Sequence, residues 1–93
     1  MKAKIIIYST KNLDISEQNK IRRELIGHTD RSHGGKYKYR REGILEKIRH
    51  LKPNRGTIIA PEKEANKIIE LLNKYKVILK KYNIQITQKE FNK

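Results

Sequence analysis

Ile5, Ile6 and Ile7 stand consecutively near the start of the chain, and this run limits the fold more than any other feature. Three β-branched residues in a row favour extended backbone, and Tyr8 lengthens the segment. Alternation would set Ala3, Ile5 and Ile7 on one face, and Lys4, Ile6 and Tyr8 on the other. Apolar residues on both faces place a strand over Lys2–Ser9 inside a sheet and not at its edge. The chain has 93 residues, 35% hydrophobic and 35% charged, enough to fill one small core.

Two helices can share that core. Asp14 precedes Glu17 by three residues, the register of a capping box, and opens a helix over about Ile15–Ile26. Ile15, Ile21, Arg22, Leu25 and Ile26 lie along one side of it, and Gly27 supplies its stop. Pro61 suits the first position of a second helix, and Glu62 and Glu64 favour its positive end. Ala65, Ile68, Ile69 and Leu72 form its apolar stripe, and its stop is expected near Tyr75. Further strands are expected at Lys36–Arg41, Thr57–Ala60, Lys76–Lys80 and Ile84–Thr87. A short amphipathic helix is expected at Glu42–Leu51, a loop at Thr29–Gly35, and a turn at Pro53, Asn54 and Gly56. The order points to an α+β two-layer sandwich, a ferredoxin-like arrangement of about four strands with helices packed on one face. A winged-helix-like fold is the alternative. Residues 1–88 read as a single domain and 89–93 as a polar C-terminal tail.

Lys and Arg number 23 against 10 acids, a formal net charge of +13. Such a charge on a small surface repels itself and calls for a polyanion, nucleic acid first and an anionic membrane surface second. The absence of cysteine excludes disulfides and thiolate metal sites. Ile5–Ile7 is too short for a signal-peptide core and no stretch approaches a membrane span, so a cytoplasmic protein with no membrane partner is expected.

The stretch His28–Arg41 is the least like a scaffold, with almost no aliphatic residue to bury. Lys36, Lys38, Arg40 and Arg41 interleave with Tyr37 and Tyr39. Cations meet phosphates, and aromatic faces accept unstacked bases, so the run suits nucleic acid, RNA favoured over DNA. Arg31 and His33 precede it, and Arg22, Arg23 and Arg55 would extend the patch. Gly34-Gly35 reads as a turn, since no phosphate-loop fingerprint surrounds it. His28, Asp30 and His33 offer a second reading, a small nuclease that shuttles protons between imidazoles. A third is an adaptor for an acidic protein. No cofactor or metal is expected, because the His-Asp-His spacing matches no closed site. The non-enzymatic binding reading leads, with a homodimer or a ribonucleoprotein as the expected assembly.

In length, charge and its Ile-rich first strand the chain is similar to the small CRISPR-associated adaptation proteins, a dimeric ferredoxin-like family. That family's pattern ends the first strand on an aspartate. Here Tyr8-Ser9-Thr10 stands at that point and the nearest acid is Asp14, so the resemblance carries over no site residue.

Overall fold

The computed structural model describes residues 1–32 and 37–91. Lys2–Ser9 (β1) is central, as its two apolar faces require, flanked by Thr57–Pro61 (β5) and Ile78–Gln85 (β6). Leu51–Asn54 (β4) pairs with β5, and the sheet runs β4-β5-β1-β6, with every pair antiparallel. The helices Ile15–Ile26 (α1) and Glu62–Asn73 (α2) pack on one face. This is the ferredoxin-like α+β sandwich.

The register fixes which side chains meet the helices. Ile6 pairs with Ile58, and both are fully buried among Ile21 and Leu25 of α1 and Ile68 and Leu72 of α2. Each such side chain contributes roughly 1.5–3 kcal/mol on leaving water. Ile5 and Ile7 point to the opposite face, where Ile7, Ile78 and Tyr82 are exposed. Ile15 and Ile26, at the two ends of α1, are likewise exposed, so the helix meets the core only through Ile21 and Leu25.

Two strands arise where the sequence suggested otherwise. Gly27–Ser32 (β2) is extended, not a loop, and it pairs residue for residue with Tyr37–Glu42 (β3). This two-stranded ribbon stands apart from the main sheet, so the strand expected at Lys36–Arg41 is not the sheet's fourth member. A ribbon outside the core needs no apolar face, and turn-type residues can form it once a partner strand satisfies the backbone. The expected helix over Glu42–Leu51 is only a 3₁₀ turn at Ile44–Lys47, followed by β4. Three residues per turn already align Leu45 with Ile48, and both are buried. Pro53 then forces Lys52 extended, and proline is tolerated because β4 is an edge strand.

After α2 the chain turns through Lys74–Lys76 and runs as one continuous strand where two were expected. Its partner is β1, paired from Lys2 to Ser9, which leaves no room for a break. Phe91 is buried in a short 3₁₀ turn at Gln88–Phe91. Among the described residues, no helix is long and apolar enough to cross a membrane.

Candidate nucleic-acid interface

The ribbon grows directly from the end of α1. Gly27 closes the helix with φ 89°, and its N–H donates to Arg23 O. A side chain is barred here, since a Cβ on Gly27 would stand 2.6 Å from Arg41 O. Gly43, which is buried, lies with its backbone against Gly27 and Leu25. The Arg40 guanidinium braces this root. It donates to Ile26 O at 3.3 Å and to Arg41 O at 3.2 Å, and it forms an ion pair with Glu46. A cation at the last carbonyls of a helix answers both their unpaired acceptors and the helix dipole.

On the ribbon, His28 pairs across with Arg41, and Asp30 across with Tyr39. Asp30 holds both basic neighbours: His28 Nε2 lies 3.0 Å from Asp30 Oδ1, and Arg41 Nε donates to Asp30 Oδ2 at 2.9 Å. The hydrogen bond from Arg41 holds the Asp30 carboxyl below its usual range, aided by the charges of His28 and Arg41. Among the described residues, His28 Nδ1 is buried with no hydrogen-bond partner. The carboxylate thus orients one imidazole. The second imidazole of the acid–base reading, His33, lies outside the described residues, as do Gly34, Gly35 and Lys36. Lys38 and Tyr39 are exposed, Tyr39 by 55%. Arg31 occupies the position across from Lys38, and Tyr37 begins β3. Arg40 and Arg41, two of the cations expected to meet phosphate, are paired with Glu46 and Asp30.

Four other cations lie together elsewhere. A hollow of about 500 Å³ opens between the end of β1, one side of α1 and the β4–β5 turn. Lys11, Arg22, Lys52 and Arg55 line it, together with Tyr8, Ile21, Leu25 and Ile26, and no carboxylate among the described residues does. Among the described residues none of these four cations is in an ion pair. The Lys52 ammonium stands 5.8 Å from the centre of the Tyr8 ring and donates to Asn54 O at 3.2 Å. Burial, and then the neighbouring Arg55 charge, push its pKa down. A second hollow of about 520 Å³, lined by Arg22, Arg23, Ile26 and the start of β2 through Asp30, adjoins the first through Arg22 and Ile26.

Arg22 and Arg55 were legible as extensions of a basic patch. Lys11 and Lys52 were not among the expected site residues, because only the sheet order brings the loop after β1 beside the β4–β5 turn. The signal for Lys52 was its place among the nine cations from Arg31 to Arg55. Among the described residues no cluster of three or more His, Asp or Glu could hold a metal. No protein-family model, no curated protein and no solved structure matches the chain.

Proposed function

We propose that this chain is a cytoplasmic nucleic-acid-binding protein, RNA favoured over DNA, that grips phosphates through a continuous basic surface. The observation that carries the reading is the hollow where Lys11, Arg22, Lys52 and Arg55 meet with no acid among them. Held together without a counter-ion, four cations repel one another, and an incoming polyanion relieves that repulsion. Arg22 leads from this hollow to Arg23 and the ribbon, where exposed Lys38 and Tyr39 add a cation and an aromatic face. Unstacked bases favour such a combination, and single-stranded RNA presents them most readily.

Binding of a single-stranded RNA, followed by fluorescence anisotropy across a salt series, tests the reading. Four phosphate contacts give a slope of log K against log salt of about −3, at about −0.7 per phosphate. Exchanging Lys52 and Arg55 for Gln should make it shallower by about 1.4. The same strand as DNA should bind more weakly. An affinity that does not respond to salt would remove the reading.

A further inference from the structure

The hollow beside the β4–β5 turn has properties that an open phosphate-tracking groove does not need. Its volume, about 500 Å³, lies within the range of clefts that hold small ligands. One wall is apolar, with Ile21 and Leu25 buried behind it and Ile26 exposed at its rim. Lys11, Lys52 and Arg55 come from the loop after β1 and from β4 with its turn into β5, and Arg22 stands on α1 beside the apolar residues. Such a hollow suits a ligand that is flat and weakly polar at one end and strongly anionic at the other. A nucleotide has that form.

Its rims are also held in place before any ligand arrives. Gln18 Nε2 donates to Thr10 O at 3.0 Å and to Leu13 O at 2.9 Å, which pins the loop that carries Lys11. Asn12 Nδ2 donates to Lys76 O at 3.1 Å, anchoring the same loop from behind. On the other rim, Tyr8 N–H donates to Gly56 O at 2.8 Å, which ties the turn bearing Arg55 to β1. Rims fixed in advance reduce the ordering cost of binding.

Charge separates an internal phosphate from a terminal one. A phosphodiester within a strand carries a single negative charge. A phosphomonoester carries about −1.5 to −2 near neutral pH and presents three acceptor oxygens. A monoester therefore brings about twice a diester's charge to one point of a hollow that four cations line.

Resting on the nucleic-acid reading above, we propose that this hollow receives the phosphorylated terminal nucleotide of a strand. Its phosphomonoester and the phosphates next to it meet Lys11, Arg22, Lys52 and Arg55, and its base or ribose lies against the exposed Ile26 of α1.

One RNA strand of fixed sequence, made with a 5′-phosphate, with a 3′-phosphate, and with hydroxyls at both ends, tests this by anisotropy at constant salt. One phosphorylated form should bind at least about tenfold more tightly than the hydroxyl-ended strand, the scale of charge-assisted hydrogen bonds made to one group. The Lys52→Gln, Arg55→Gln double variant, its fold checked by circular dichroism, should bring all three strands to similar affinity. Equal, salt-sensitive binding of the three strands to the unaltered protein would overturn the terminal site and leave the nucleic-acid reading standing. Failure of every strand to bind at low salt would overturn both. A free nucleoside monophosphate that bound as tightly as the phosphorylated strand would also overturn it, since the strand would then contribute nothing.

Discussion

Tyr75 donates its phenol proton to Glu24 Oε2 at 2.5 Å, joining the turn after α2 to the outer side of α1. That bond holds the proton, and burial and the charges of Glu24 and Glu17 also oppose the phenolate, so the Tyr75 pKa is pushed up to about 12. A folded-state pKa above the unfolded value of about 10 favours the native state while the phenol keeps its proton. The contribution is full below pH about 10 and lost as the pH rises through about 12. In an ultraviolet titration of the tyrosines, the highest step should fall near 12 and be absent from Tyr75→Phe. The stability difference between the two proteins should shrink over that same window. Asp30 runs the other way: its depressed pKa keeps the ties to Arg41 and His28 at neutral pH, and they are lost as the pH falls through its folded value. Legibility at this scale follows sequence distance. Asp14 was readable as a cap because its Oδ1 accepts from Glu17 N–H, three residues on, at 2.8 Å. Glu46 and Ile26 O as partners of Arg40 were not, because the two come together only when the ribbon folds back on α1.

β1, α1 and α2 were readable because each carries its own periodicity: a two-faced apolar run, a cap followed by a stripe, a proline followed by a stripe. β2 and β4 carry none. Each is extended because another strand accepts its hydrogen bonds, and no window of sequence contains that information. The separate ribbon depends most on its root, where Gly27 and Gly43 touch backbone to backbone. A Cβ at Gly43 would collide with Gly27 N and Leu25 O, which are backbone atoms and cannot swing aside as a side chain could. Gly43→Ala must therefore part β3 from the end of α1, at a cost on the order of 2 kcal/mol. Melting by circular dichroism should show that loss. Hydrogen exchange should show where it falls: faster at β2–β3 amides, unchanged at the β1–β5 and β1–β6 ladders. Slow exchange kept throughout the ribbon would mean that the root tolerates a side chain.

Over the whole molecule, charge and size act together. The extents are 48 × 31 × 20 Å, and the formal net charge is +13. At ~0.01 M salt, charges are felt over ~30 Å, so repulsion spans most of the protein; at ~0.15 M the reach is ~8 Å. The free protein should therefore become more stable as salt is added, because screening removes a repulsion that the compact state concentrates. Nucleic acid, bound as proposed, should reverse the dependence. A ligand that binds only the folded form raises stability by RT ln(1 + [L]/Kd), about 2.7 kcal/mol at one hundred times Kd. Salt raises that Kd by competing for the phosphates. Melting curves with and without a fixed concentration of single-stranded RNA should thus lie far apart at low salt and converge at high salt, the free-protein Tm rising to meet a falling complex. A free-protein Tm that fell with added salt would mean that the native ion pairs, Arg40–Glu46 and Arg41–Asp30 among them, outweigh the repulsion. The positive surface would then already be balanced within the chain, and the driving force assigned to phosphate binding would be gone.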